Sequence, residues 1–144
     1  MAVPLLEEGT ATLAAPSPWL RRALTVLVAL YDHAGLKSAA DEQAPVNLHT
    51  YLDRPERWPG RCYPRTIHAP TESRTVLDNP TWRTGRLFPA PGEVDAQKVA
   101  LTLEHVRIGD RGAHPRLHLP DDTAPTRTKI YVGYLGKHLT NSKT

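Results

Sequence analysis

Among the four histidines in the last third of the chain, His105, His118 and His138 each stand within two residues of a cation: Arg107, Arg116 and Lys137. Histidine is the side chain best suited to proton transfer near neutral pH. Arginine offers a planar fork of donors to phosphate oxygens, and lysine a point charge. Lys129 adds a further cation, and Tyr131 a ring on which a nucleic-acid base can stack. Imidazoles beside fixed cations can cleave a phosphodiester without a metal. These residue types therefore imply phosphate-ester chemistry. His105, His118 and His138 are the candidate acid–base groups. Arg107, Arg116, Lys129, Tyr131 and Lys137 are the candidate phosphate-binding set.

Strands must position them. Lys98–Ile108 reads KVALTLEHVRI, rich in apolar and β-branched residues, and GDRGA follows as a turn signal. PRLHL alternates strictly, PDDTAP is a second turn, and KIYVGY alternates again. Turns this short join antiparallel neighbours. The pattern predicts an antiparallel sheet of about three strands over residues 98–134. Alternation places Leu117, Leu119, Ile130, Val132 and Tyr134 on the apolar side. His105, Arg107, Arg116, His118, Lys129 and Tyr131 then share the polar side. Val99, Leu101 and Leu103 run in the opposite phase to Val106 and Ile108, so a bulge lies near Leu103 or both faces are covered there. Gly133 leaves space beside Tyr131. Gly133 and Gly136 together allow a turn that folds Lys137 and His138 back onto the polar face.

An amphipathic helix is predicted over residues 18–34, packed on the sheet. Ser17 suits the N-cap and Pro18 the first helical position. Leu20, Ala23, Leu24, Leu27, Leu30, Tyr31 and Ala34 recur at helical spacing, Trp19, Val26 and Val28 widen the stripe, and Gly35 suits the end. Arg21, Arg22, Asp32 and His33 mark the wet side. Residues 36–98 hold eight prolines, which forbid long regular elements and predict an irregular middle pinned by Trp58, Tyr63 and Trp82. Residues 1–16 read as a weakly ordered lead-in. Residues 17–144 read as a single domain of the α+β class.

Composition limits the alternatives. Leu, Val, Ile and Phe make up 31 of 144 residues, just above the roughly 20% level at which disorder is expected, and the net charge is only +3. No apolar run of about 18 residues exists, so no membrane span is expected. Charge is uneven: residues 1–72 carry net −1 and residues 73–144 net +4, with no acid after Asp122. That end favours anionic partners. The single cysteine, Cys62, excludes an internal disulfide and a cysteine-rich zinc site, and a reducing cytoplasm is the expected compartment. Met1–Ala15 contains Glu7 and Glu8 and no Lys or Arg, unlike the positive start of a secretory signal. Phosphate-loop, dinucleotide-binding, zincin and hydrolase-elbow motifs are absent from the sequence, and no cofactor is expected.

A metal held by Asp121, Asp122 and His118 is a competing reading, although paired aspartates between prolines more often shape a turn. His138-Leu139-Thr140 has the H-x-T form of two-histidine phosphoesterases but occurs once, where such enzymes need two. Lys129–Asn141, with the preceding PRLHLPDDT, resembles the C-terminal end of uncharacterised actinobacterial proteins, and 13 Arg against 5 Lys suits a high-GC genome. The resemblance covers about 30 residues, would share Arg116, Asp121, Asp122, Lys129, Gly133, Gly136, His138 and Asn141, and implies no particular activity. Two functions are thus open. One is a nucleic-acid- or phosphate-ester-associated domain, binding only or also cleaving. The other is a non-catalytic module whose tryptophans contact a protein partner. An exposed sheet edge would also permit a homodimer.

Overall fold

The computed structural model describes residues 18–39, 43–109, 114–120 and 130–141. The predicted lead-in, the Asp121–Asp122 turn and Lys129 lie outside them. Pro18 opens helix α1, Pro18–Ser38, where its missing N–H costs nothing. Ala23, Val26, Ala29, Leu30 and His33 form its buried face. Two details differ from the sequence pattern. The helix passes Gly35 and ends at Ser38, whose hydroxyl donates to the Ala34 and Gly35 carbonyls while Leu36 packs against the core. Its wet side is also rotated: His33 is buried, whereas Leu24 and Tyr31 are exposed. The apolar stripe is wide enough to offer two faces, and packing against Tyr51, whose ring lies 5.0 Å from that of His33, selects the one containing His33.

The middle is built from short capped pieces. Helix α2, Leu48–Asp53, is capped by the Asn47 side chain, which accepts from the Thr50 N–H at 2.8 Å. It buries Leu48, Tyr51 and Leu52, one helical face. A 3-10 turn, Arg65–Ile67, leads into strand β1, His68–Ala69. Helices α3, Arg74–Leu77, and α4, Pro80–Thr84, take Ser73 and Asn79 as caps. The prolines that forbid long elements thus coexist with ordered one-turn helices.

Strand β2, Leu87–Pro89, pairs antiparallel with β3, Val99–Leu101, as a separate two-stranded sheet. The chain then leaves that sheet at Thr102–Leu103 and enters β4, Glu104–Arg107. This handover explains the phase reversal near Leu103: the expected single strand is two strands in two sheets. β5, Arg116–Leu119, and β6, Tyr134–Gly136, complete a four-stranded antiparallel sheet of order β1-β4-β5-β6. The fold is α+β. One face of the sheet contributes Val106, Leu117, Leu119 and Leu135 to a core shared with α1, α2 and Tyr63. Fully burying each such aliphatic side chain is worth about 1.5–3 kcal/mol.

The last strand begins later than the alternation of KIYVGY predicts. Gly133 sits so close to β5 that an added Cβ would meet Thr102 Cγ2 at 2.6 Å, and its N–H donates to the His118 carbonyl at 2.9 Å. β6 therefore covers 134–136. Leu135 enters the core, and Tyr134 takes the opposite face, not the apolar side expected for it.

Candidate functional site

The second face of the sheet carries the chemistry. His105 pairs with His118 across β4 and β5, and Arg107 with Arg116 in the next pair on the same face. Tyr134 stands opposite His118, and Gly136 opposite Arg116. The histidine rings lie 5.0 Å apart and nearly parallel, at 22°. This face is not open to water at its centre as an exposed sheet surface would be: His118 is 1% exposed. Tyr134 touches it edge-on at 6.0 Å and stacks at 5.0 Å on Phe88 of β2. The small sheet thereby roofs part of the larger one.

Both imidazoles are oriented by backbone. His118 Nδ1 lies 2.9 Å from the Thr102 carbonyl and His105 Nδ1 2.9 Å from the Leu103 carbonyl. A carbonyl only accepts, so Nδ1 carries a proton in each ring, and in neutral His118 Nε2 keeps its lone pair. The two acceptors are the consecutive residues at which the chain changes sheets. Burial pulls the His118 pKa down to about 3; its bond to the Thr102 carbonyl opposes this, and the charges of His105, Arg86 and His138 add to it. His118 is therefore neutral at physiological pH.

A buried ion pair closes the site. Glu72 Oε1 accepts from Arg86 Nε at 3.1 Å and lies 3.7 Å from His105 Nδ1. Arg86 is 1% exposed, and its Nη1 donates to the carbonyls of Trp82 and Thr140. Nη2 reaches the Leu139 carbonyl at 3.5 Å. One guanidinium thus ties α4, Glu72 and the segment after β6 together. That segment carries His138, half-buried, with its Nδ1 enclosed and its Nε2 3.4 Å from Asn141 Nδ2. Burial lowers the His138 pKa and the charges of Arg116 and Arg86 lower it further, while a bond to the Leu139 backbone and the charge of Glu72 pull the other way. Glu72, His105 and His118 each offer a ligand atom, all within 4.8 Å of one another.

Of the residues singled out in the sequence, His105, His118, Arg107 and Arg116 share this face, and His138 lies within electrostatic reach. Arg107 is exposed and donates to the Thr66 carbonyl at 3.2 Å; Arg116 Nη1 donates to the Gly109 carbonyl at 2.8 Å. Lys137 is exposed, and its carbonyl accepts from the Tyr134 hydroxyl at 2.9 Å. Tyr131 is the correction. It precedes β6, its hydroxyl donates to Glu93, and it lines a cleft with Leu27 and Tyr31 of α1 rather than the histidine face. The late start of β6 removes it from the register that would have put it there.

Glu72, Arg86 and Tyr134 escape sequence reasoning, as do four exposed arginines, Arg54, Arg57, Arg61 and Arg65, in the loop before β1. The last group did have a signal, since residues 54–65 hold four arginines against one acid, Glu56. Glu72 and Arg86 had none, because an ion pair across fourteen residues follows from tertiary packing.

On the core side of the sheet, Tyr63 lies 3.0 Å from His68 Nδ1, and His68 Nε2 lies 2.8 Å from Glu104. This buried chain faces away from the histidine pair.

No protein-family model matches the chain, and neither a curated protein nor a solved structure matches it. Among the described residues, no helix is long and apolar enough to cross a membrane.

Proposed function

We propose that this chain binds phosphate esters, with single-stranded nucleic acid as the ligand class. The observation that carries the reading is the register of β4 and β5. It sets Arg107 against Arg116 directly beside the His105–His118 pair, on one face. Exposure falls along that face from Arg107, which is exposed, to His118, which is buried. A ligand therefore meets the arginines first and His105 next. Two arginines in neighbouring register suit a phosphate group through charge and planar donor geometry. Arg107 also reaches Thr66, which joins the pair to the loop carrying Arg54, Arg57, Arg61 and Arg65. Arg57 lies over the Trp58 ring at 5.0 Å, a cation–π contact that orders one guanidinium of this loop.

Binding is favoured over metal-free cleavage. General acid and general base must reach an ester from two sides, whereas His105 and His118 are stacked one behind the other. The protein-docking alternative loses support from the tryptophans. Trp58 packs against the core and its N–H donates to the Gln43 carbonyl at 2.7 Å, so that ring serves its own fold.

The test is fluorescence anisotropy with short single-stranded RNA and DNA. Three phosphate contacts on a single strand would weaken binding roughly 10- to 20-fold between about 50 and 200 mM salt. Arg107→Ala should lower the salt slope by about 0.7. Absence of binding at the lower salt, or binding indifferent to salt, would refute the reading.

A further inference from the structure

Going beyond phosphate binding, we propose that Glu72, His105 and His118 form a binding site for a divalent transition-metal ion, with Zn2+ as the best match. One ligand atom from each residue already lies within 4.8 Å of the other two, although the His105 atom nearest Glu72 Oε1, at 3.7 Å, is Nδ1, so a shared ion on Nε2 requires the His105 ring to shift. The imidazoles are prepared for this. Metal-binding histidines commonly give their second ring N–H to a carbonyl or carboxylate, which fixes the tautomer and the ring plane. His105 and His118 do so through Leu103 and Thr102, so Nε2 is the ring nitrogen left to hold an ion.

The carboxylate is prepared in the same way. Arg86 donates to Glu72 Oε1, and Arg86 is itself held by the Trp82, Thr140 and Leu139 carbonyls. A ligating carboxylate with a fixed hydrogen-bond partner is the usual second layer of a metal site. Arg86 also decides which ion fits. It cancels the charge of Glu72, so attraction rests on neutral nitrogen donors and not on accumulated negative charge. Mg2+ and Ca2+ require oxygen-rich sets, whereas two imidazoles and one carboxylate suit zinc and its transition-metal neighbours. Three protein ligands leave a coordination position open, as in catalytic rather than structural zinc sites.

The experiment uses the full chain stripped with EDTA. Zn2+ alone is titrated calorimetrically, Mg2+ serves as the comparison ion, and ring-nitrogen NMR follows all seven histidines. One equivalent of Zn2+ is expected to bind and to shift Nε2 of His105 and His118 specifically. Mg2+ should give no heat. His118→Ala and Glu72→Gln should each weaken Zn2+ binding at least tenfold, while His114→Ala, at an exposed residue, leaves it unchanged. The NMR result needs no substitution, so it stands even where a variant fails to fold. Zn2+ shifts confined to other histidines, full binding by folded His118→Ala, or no binding at millimolar Zn2+ would each overturn the assignment.

Discussion

Replacing Arg86 by methionine tests how far the site is bound into the fold. The side chain is 1% exposed, and Glu72, its partner at 3.1 Å, has a side chain 8% exposed. Methionine keeps much of the volume but removes the charge and every donor. Glu72 is then a buried carboxylate with no counterion, a change that costs about 3–5 kcal/mol. The carbonyls of Trp82, Leu139 and Thr140 lose their donor as well. Thr140 is exposed and can turn to water, so these add roughly 1 kcal/mol between them. The expected loss is therefore about 4–6 kcal/mol, a large part of the roughly 5–15 kcal/mol that holds a domain folded. Urea unfolding in EDTA, followed by tryptophan fluorescence, measures it, with an unchanged m-value as the check on two-state behaviour. The paired variant Glu72→Gln with Arg86→Met should recover about 1–3 kcal/mol relative to additivity, because it removes the orphaned charge. A loss below about 1 kcal/mol for Arg86→Met, or a double variant no better than the sum of the singles, would refute this reasoning.

Other outcomes follow from single contacts. Asn47→Ala removes the cap of α2 and should cost about 1 kcal/mol by thermal or urea unfolding. Gly133→Ala drives a methyl toward Thr102 Cγ2 and should cost about 1–3 kcal/mol; Thr102→Ser, which deletes that methyl but keeps the hydroxyl bonded to the Arg86 carbonyl, should rescue it. Burial raises the Tyr51 pKa above its ordinary value, so the folded state keeps a proton that the unfolded state releases above about pH 10. Stability should then fall as pH rises through and beyond that point, and Tyr51→Phe should flatten the fall while costing about 1 kcal/mol at neutral pH through the lost bond to the Arg61 carbonyl. Deleting residues 137–141 takes two acceptors from Arg86 and should lower the melting temperature along with any ligand binding.

The histidine pair was legible because period-two alternation is a local property. His105 with Arg107, and Arg116 with His118, must each share a face whatever the rest of the chain does. The phase reversal near Leu103 was legible as well, although only the structure separates a bulge from a change of sheet. The third strand was misplaced because Ile130, Val132 and Tyr134 alternate as smoothly as Tyr134, Leu135 and Gly136 pair. The deciding contact, Gly133 against Thr102, is long-range and leaves no mark in the sequence. His33 shows the same limit in a helix. Periodicity narrows the buried face to a sector, and the partner that arrives, here Tyr51, chooses within it. Glu72 and Arg86 were invisible because an isolated Glu or Arg normally reads as surface.

The reach of Arg86 to Leu139 and Thr140 also bears on the order of folding. The bond spans 54 residues, and the other members of the cluster are Glu72, His105 and His118. Closing loops of this length is entropically costly before any contact offsets it, so such contacts form late. Until β6 has docked and brought Leu139 and Thr140 beneath the guanidinium, Arg86 lacks two of its acceptors and Glu72 lacks a fixed counterion. The histidine site should accordingly be the last part of the molecule to mature. Hydrogen exchange should reveal this as a shared opening of Gly133, whose N–H is held by the His118 carbonyl, and the strand that follows it, at lower free energy than the amides of α1.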